Sequence, residues 1–449
     1  MARVEELEAE VARLKSNSTN SSKPPSSDHP GIQRPAQKPS GNKRGGQPGH
    51  KGHQRKLLPP EDVTTFVPLV PTQCEGCGAG LNGEDPAPLR HQVVDVPPIK
   101  PTVTEYQCHS LDCGKCGTTT RAQLPPGVPR GAFGPRLAAM LAVCTAKYRL
   151  SKRAVRELLS DFLGVELALG SVSNVERQVS AALAPAVEEA RAYVRAAEVV
   201  HADETSWREN KTKAWLWVAA TPRVSVFLIA SSRGSKIAKE LLGEAFAGTL
   251  VTDRWAGYAW VAKALRQLCW AHLRRDFQSW VDGGGVGAEL GRSLLAETKR
   301  MFKWWHKVRD GTLTREAFQK KMRSLQISVG GLLTDASMCR NRRVRGMAKQ
   351  MLKLEVALWT FVDTAGVEPT NNFGERTIRH AVLLRKGSFG TDSAEGSRFV
   401  ERMLTTVATL RQQRRNVLEF ITEACKATLK NQKAPSLLLQ PNQIMLAAA

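Results

Sequence analysis

Two apolar runs that each end in an aspartate, EVVHAD closing on Asp203 and GTLVTD closing on Asp253, constrain this chain more than any other feature. Both read as strands, and an acid at the end of a buried strand is costly unless something pairs it. If the two strands are neighbours, they bring hard oxygen donors together, which suits a divalent cation held with a few waters. A third carboxylate arriving from a helix would complete a two-ion site for in-line displacement at phosphate. Glu375, in PTNNFGERTIRH, is the candidate. A purely structural reading stands beside this one: Asp203 caps a turn, Asp253 pairs with Arg254 or another base, and Glu375 belongs to a capping box. Spacing alone leaves both open.

The surrounding periodicity sets the expected fold. KAWLWVAAT and VSVFLIASS follow EVVHADETSW closely enough to be antiparallel neighbours, the helix SKIAKELLG precedes GTLVTD, and LRQLCW reads as a fifth strand running into AHLRRDF. From about 280 to 365 the pattern is helical and includes ETKRMFKWWHKVRD; a polar turn at 369–372 and further helices to about 430 follow. The expectation is a mixed α/β domain over 198–280 and 366–430, interrupted by a helical insertion at 281–365 and followed by a tail at 431–449. Residues 131–197 carry helical spacing, with Ser151 a plausible cap and Ser171 or Ser173 a later helix start, and are expected to form a helical, DNA-binding domain. A helix-turn-helix and an ordinary helix pair both fit.

Five of the nine cysteines fall between Cys74 and Cys116. An odd total, without a basic leader followed by an apolar run, argues against a disulfide framework. Cys74-Glu-Gly-Cys77 and Cys113-Gly-Lys-Cys116 have the knuckle spacing for tetrahedral thiolate ligation of a structural zinc, with Cys108 as a fifth candidate for four places. The intervening HQVVDVPPIKPTVTEYQC alternates well enough for two strands, giving a small zinc-binding domain over 61–130. Cys269 and His272 form another Cys-x-x-His pair that lacks two further ligands; a core cysteine and a helix-start histidine explain it equally well.

Charge points to the partner. With 65 Lys+Arg against 42 Asp+Glu, the net charge of +23 calls for a polyanion, and nucleic acid is the first to consider. Residues 16–60 are rich in Ser, Pro, Gly and Lys/Arg and are expected to be a disordered basic linker. Seven Lys/Arg and no acid lie within 29–60, among them Lys43, Arg44, Lys51 and Arg55, so the segment can follow a phosphate track or serve as a solvated linker. Arg274, Arg275, Arg376, Arg379, Arg385 and Lys386 would flank the acids and suit the phosphates of double-stranded DNA. At the N-terminus, Val4, Leu7, Val11 and Leu14 fit the seam of a short coiled coil over 1–15, marginal at two heptads. The strongest apolar stretch, 214–229, is broken by Pro222 and Arg223, short of the roughly 20 clean residues of a membrane span. No secretory signal is read in MARVEELEAE, so the expected location is cytoplasmic.

HADET, VTDRWAGY, QLCWAHLRRDF and PTNNFGERTIRHAVLLRKGSFG, together with NSSKPPSSD, GGQPGHKGH and the double-cysteine region, resemble the transposases of insertion sequence family 66, the TnpC type, in the same order over residues 1 to about 430. The resemblance implies a bacterial protein with an RNase H-like catalytic domain. It implies an Asp-Asp-Glu triad, here Asp203, Asp253 and Glu375, working with two Mg²⁺ ions, or Mn²⁺, and a helical insertion before the Glu. It further implies an N-terminal zinc region, recognition of terminal inverted repeats, a homodimer or higher oligomer on DNA, and accessory proteins of the same element. In related catalytic domains a Cys-x-x-His follows the second Asp, which gives Cys269 and His272 a supporting place. Two departures stand out: the coiled-coil segment is short, and the zinc region has one cysteine more than it needs. Glu368 is the rival third acid, but it precedes Pro369 and so belongs to a loop. Asn371 and Asn372 can cap a helix starting near Phe373, with Glu375 in its first turn and Arg379 one turn on. Other classes are a plain nuclease of the same fold and a DNA-binding regulator derived from a transposase, without catalysis; the basic N-terminal modules speak against the first and the three acids against the second.

Overall fold

The change of periodicity at Glu198 is where the main sheet begins. The computed structural model describes residues 10, 14, 16–21, 49 and 56–439. The chain divides into two units, Gly31–Thr102 and the combination of Met1–Pro30 with Val103–Ala449. Lys43, Arg44, Lys51 and Arg55, and Val4, Leu7 and Val11 of the expected coiled coil, lie outside the described residues; Leu14 is helical and exposed.

The two strands expected in HQVVDVPPIKPTVTEYQC do not form: residues 91–108 are irregular. Pro97, Pro98 and Pro101 interrupt the alternation, and each removes a backbone donor that a ladder would need. Strand formation begins only at β1 (Ser110–Asp112), which pairs antiparallel with β2 (Thr119–Arg121) around the second cysteine knuckle.

Three helices follow, α1 (Pro135–Ala146), α2 (Lys152–Leu163) and α3 (Leu169–Arg195). Ser151 caps α2 as expected, its side chain accepting from Ala154 N, and Gly164 closes that helix in the left-handed conformation. α3 begins at Leu169, ahead of both serines proposed for its start, and no side chain caps it. Val172, Val175, Val179, Leu183 and Val187 of α3 recur at helical spacing and belong to the same continuous core as Leu216, Val218 and Phe227 of the sheet. The helical stretch expected to stand apart is therefore packed into the sheet domain.

The sheet holds β3 (Val199–Glu209), β4 (Thr212–Ala220), β5 (Ser225–Ala230), β6 (Thr249–Thr252) and β7 (Arg266–Leu268) in the order β5-β4-β3-β6-β7. The first three are antiparallel, while β6 and β7 run parallel to β3 after the crossover helix α4 (Ser235–Leu242). The helical insertion, α5 (Trp270–Gly283), α6 (Gly285–Arg309), α7 (Arg315–Met338), α8 (Arg342–Lys353) and α9 (Val356–Asp363), has its own core around Trp280, Met301, Phe318 and Phe361, joined to the sheet through Val251 and Leu268. The chain then returns through α10 (Asn372–Ser388), α11 (Ala394–Gln412) and α12 (Val417–Leu429). The result is a mixed α/β fold.

One edge of the sheet is closed by a helix. Ser225, Phe227 and Ile229, alternate residues of β5, donate their backbone N–H groups to Thr409 Oγ1, Thr405 Oγ1 and Glu401 Oε1 of α11. Four helical residues rise ~6 Å and two strand residues ~6.6 Å, so an i, i+4, i+8 row can follow every second amide of a strand. This satisfies donors that a sixth strand would otherwise attract.

Both ends of the described chain are tied down locally. Residues 16–21, within the stretch expected to be a free linker, form a turn whose buried Asn20 donates Nδ2 to Asp282 Oδ2 of α5 (2.7 Å). Leu437, within the expected tail, is buried and donates its N–H to Glu189 of α3 (3.2 Å). Among the described residues, no helix is long and apolar enough to cross a membrane.

Candidate active site

The parallel register of β3 and β6 pairs Val199 with Thr249 and His201 with Val251. Carried on by two residues, it sets Asp203 level with Asp253, on the same face of the sheet, because side chains alternate with a period of two. Glu375 arrives in the first turn of α10. The Asp203 carboxyl is half-buried and driven well above the ordinary range, first by loss of solvent and then by the charges of Glu204, Asp253 and Glu375. Burial also raises Glu375, with Arg275 opposing and Asp253 adding to the shift. Acids therefore crowd one another here.

The local geometry removes two parts of the structural reading. Arg254 does not pair with Asp253; it holds Asp276 at 2.6 Å. Asp253 Oδ1 instead accepts Trp255 N at 2.8 Å, and Asp203 Oδ1 accepts Glu204 N at 2.9 Å, so each keeps an oxygen for another partner. The capping box also fails. α10 starts one residue earlier than expected, at Asn372, which puts Gly374 at the third helical position and Glu375 at the fourth, beyond the reach of that motif.

Asn371, taken from sequence as a cap, does something else with its side chain. It is 1% exposed, and no side-chain capping bond forms. Its Nδ2 donates to Ala202 O (2.8 Å), its Oδ1 faces His201 Nδ1 (3.0 Å), its N–H points at Cys269 Sγ (3.1 Å), and its carbonyl accepts Glu375 N (3.0 Å). Since Ala202 O can only accept, Oδ1 is left for the histidine, which carries its proton on Nδ1. Cys269 N donates to Thr252 O (2.8 Å), next to Asp253. The Asn371 side chain thus binds the strand bearing Asp203, its carbonyl binds the helix bearing Glu375, and its N–H reaches Cys269, whose own N–H bonds the strand that leads to Asp253. Gly374 makes room for it: a Cβ there would lie 2.8 Å from Asn371 Oδ1.

Cys269 and His272, which lacked further ligands in the sequence, meet Glu375. The Cys269 Sγ, a His272 ring nitrogen and a Glu375 carboxylate oxygen all lie within 4.8 Å of one another. Burial pushes the Cys269 thiol up to about 11 and, helped by Arg275, the His272 imidazole down to about 4, so both are neutral near pH 7. His272 Nδ1 stands 3.5 Å from Glu375 Oε1. Glu368 is engaged elsewhere, its Oε2 accepting from Trp305 Nε1 of the insertion (3.1 Å).

Sequence reasoning passed over Glu204, the neighbour of Asp203. It is a structural acid: Arg233 binds it at 2.6 Å and Tyr258 OH donates to it at 2.6 Å. Arg275 is the basic residue whose charge reaches Glu375 and His272. Arg274, Arg376 and Arg379 are exposed, with Arg379 one turn beyond Glu375. Arg385 and Lys386 lie at the other end of α10.

The cysteine knuckles, each taken alone, are built identically. Cys74 N donates to Ala79 O and Gly78 N to Cys74 O, both at 2.8 Å; Cys113 N donates to Thr118 O at 3.0 Å and Gly117 N to Cys113 O at 2.8 Å. The left-handed glycines these turns need are Gly78 (φ +72°) and Gly117 (φ +71°), after the second cysteine, not Gly76 or Gly114 between the pair. Hydrogen bonds lower the Cys74 thiol, through the Cys77 backbone above all, and the Cys116 thiol, through the Thr118 hydroxyl above all. Lowered thiols favour the thiolate that zinc requires.

Comparison with known proteins identifies the family. Residues 130–398 match the Transposase IS66 family, residues 71–117 match the zinc-finger binding domain of transposase IS66, and residues 1–56 match a family of unknown function, DUF6444. The chain is similar to the uncharacterized protein y4hP of Sinorhizobium fredii (strain NBRC 101917 / NGR234), 25% identical over 395 residues that cover 78% of this chain and 70% of that protein. The uncharacterized protein y4jD of the same strain is 23% identical over 383 residues, 77% of this chain and 72% of its own. Because the transposase match alone takes in more than half of the sequence, and the zinc-finger match contains both cysteine knuckles, the chain belongs to the IS66 family of transposases.

Proposed function

We propose that this transposase binds the terminal inverted repeats of its element, cleaves the element ends and joins them to target DNA, with Asp203, Asp253 and Glu375 as the catalytic acids of an RNase H-like domain. One observation supports the reading: Asp203 on β3, Asp253 just past β6 and Glu375 in the first turn of α10 are half-buried, and burial together with the charges of neighbouring acids raises Asp203 and Glu375. Hard oxygen donors crowded in this way fit Mg²⁺ or Mn²⁺. Two such ions, when bound, would activate water or a 3′-hydroxyl and stabilise the leaving oxygen at a DNA phosphodiester. The chain's own part is positional. Asn371 ties the strand bearing Asp203 to the helix bearing Glu375, and Arg275, beside Glu375, can orient a phosphate by bidentate contact. The mixed five-stranded sheet, with β6 and β7 parallel to β3, supports the RNase H-like assignment.

Zinc belongs to this family's N-terminal domain, and we assign its ligation to Cys74, Cys77, Cys113 and Cys116; the two matching turns that carry them support that choice over Cys108. Action as a homodimer or higher oligomer on two element ends, assisted by accessory proteins of the same element, completes the proposal. Incubating the protein with labelled element ends, Mg²⁺ and a target plasmid tests it. Strand-transfer products are expected; hydrolysis alone would mark a nuclease, and binding without either product would mark a regulator.

A further inference from the structure

An open concavity of about 720 Å³ lies where the β3–β4 hairpin meets the end of α10. Arg208, Lys211, Lys213, Arg385 and Lys386 line it together with Phe389. Among the described residues, none of these five cations has a carboxylate within ion-pair distance. Glu209, the acid nearest in sequence, accepts from the Ser397 hydroxyl instead. Arg385 is half-buried and held only by neutral oxygens, donating to Thr205 Oγ1 (2.9 Å) and Ser206 Oγ (2.6 Å). A half-buried cation without an acid beside it keeps its charge free to attract an anion.

The frame around it is rigid. Asn210 (φ +46°) and Lys211 (φ +62°) make the tight left-handed turn of the hairpin. Thr391 N donates to Arg208 O (2.9 Å) and Asn210 N to Thr391 O (2.8 Å), stitching the loop after α10 to the hairpin. That stitch requires Gly390, whose added Cβ would fall 2.2 Å from Arg208 O. It also leaves Phe389 at φ +59° and 77% exposed, a bulky residue in a costly conformation with its ring in solvent. Fixed cations beside an exposed ring are the elements of a strand-binding groove.

We infer that this concavity grips the DNA strand three to five nucleotides from the phosphate at the acids, with its cations on the backbone and Phe389 against an unpaired base. The spacing follows from the elements. Arg385 bonds both Thr205, on the Asp203 face of β3, and Ser206, on the other, so it sits at the strand's edge and the path from the acids passes around it. Ser206 is three strand residues beyond Asp203 and Arg208 is five, or ~10 and ~16 Å along the axis at 3.3 Å each. At ~3.4 Å per nucleotide these are three to five steps. The inference rests on the proposed role of Asp203, Asp253 and Glu375, and its test separates the two.

The full chain is bound to a duplex carrying the terminal repeat read from DNA flanking its gene, with single neutral methylphosphonates placed along the strand. Fe²⁺ substituted for Mg²⁺, with ascorbate and peroxide, cuts locally and marks the nucleotides beside the acids. Methylphosphonates three to five nucleotides from that mark should weaken binding of the wild type about tenfold, and should have no effect on R208A/K211A/K213A. In that variant the slope of log affinity against log salt should fall by about 2 to 3, near 0.9 per lost phosphate contact. F389N, whose asparagine accepts the left-handed backbone, should lose affinity only for duplexes unpaired at those nucleotides. Absence of any local cut would refute the active-site reading alone, since the salt slope, and methylphosphonate sensitivity present in the wild type and lost in the triple variant, still judge the groove. An unchanged slope, or sensitivity elsewhere, overturns the groove assignment. So does a triple variant that keeps its DNA affinity and loses self-association, which would mean that an acidic protein segment fills the concavity.

Discussion

The side-chain amide of Asn371 donates to the carbonyl of Ala202 at 2.8 Å, on the peptide that leads into Asp203. The same residue's main-chain carbonyl accepts the amide of Glu375, so the segments of two acids 172 positions apart are tied through one buried residue. Asn371→Ala would leave Ala202 O and His201 Nδ1 buried without partners, at about 1–3 kcal/mol for each group. Lower thermal stability is expected together with a raised Mg²⁺ requirement for cleavage. A stability loss with an unchanged Mg²⁺ dependence would show that Asn371 only supports the fold.

Glu375→Gln should abolish Mg²⁺-dependent cleavage, by at least about a hundredfold given the several kcal/mol that metal-ion catalysis supplies, while DNA binding and melting temperature persist. Glu368→Gln should be mild, because its partner Trp305 Nε1 can donate to an amide oxygen as well. Near-normal cleavage by Glu375→Gln would dismiss the triad.

In the metal-free protein Asp203 and Glu375 are both raised, so the folded state binds protons that the unfolded chain releases. Their contribution to stability is complete below the ordinary carboxylate range and is lost as pH rises through their raised values. Metal-free protein should therefore melt lower as pH climbs from about 4 towards neutrality, and added Mg²⁺ should raise the melting temperature more at pH 7.5 than at pH 5. An equal Mg²⁺ effect at both values would argue against a site built from these acids.

Glu401 offers a second, separable pH effect. Burial raises it to about 7, against Arg398, and it accepts the Ile229 amide at the sheet edge. Folding stability should fall as pH rises from about 4.5 to 7, by roughly 3 kcal/mol at most, because ionising the buried acid costs solvation even though the Ile229 bond itself favours the charged form. Glu401→Gln keeps the acceptor and should flatten that slope. Glu401→Ala strands the Ile229 N–H and should cost about 1–3 kcal/mol at every pH. Identical behaviour of the two variants would contradict the hydrogen-bonding role.

Removal of zinc should unfold the N-terminal zinc region, because a segment so poor in buried apolar groups relies on its metal. About one zinc per chain is expected from a four-thiolate ligand set. Cys77→Ser and Cys116→Ser should each lose it, whereas Cys108→Ser should retain it. Loss of zinc in Cys108→Ser alone would reassign the fourth ligand.

Local chemistry was legible in the residues themselves. Ser151 caps its helix because a short hydroxyl before a helical run satisfies a free amide wherever it occurs. The five strands follow from apolar and alternating runs, and the acids at their ends from the cost of burying a charge without a partner. Local rules also compete: the prolines at 97, 98 and 101 veto strands that the alternation alone suggests. Tertiary structure decided what depends on register and on distant partners. Asp203 comes level with Asp253 because β6 pairs parallel with β3, and no property of either run states which neighbour it will choose. Asn371 became a tie between segments instead of a cap because Ala202 O, His201 and Cys269 surround it, partners 102 to 170 residues away. Likewise, three polar residues of α11 read as an ordinary helix face until the β5 edge is laid against them. Hydrogen bonds between neighbours in sequence are written in composition and spacing, whereas those across the core exist only once packing has brought the groups together.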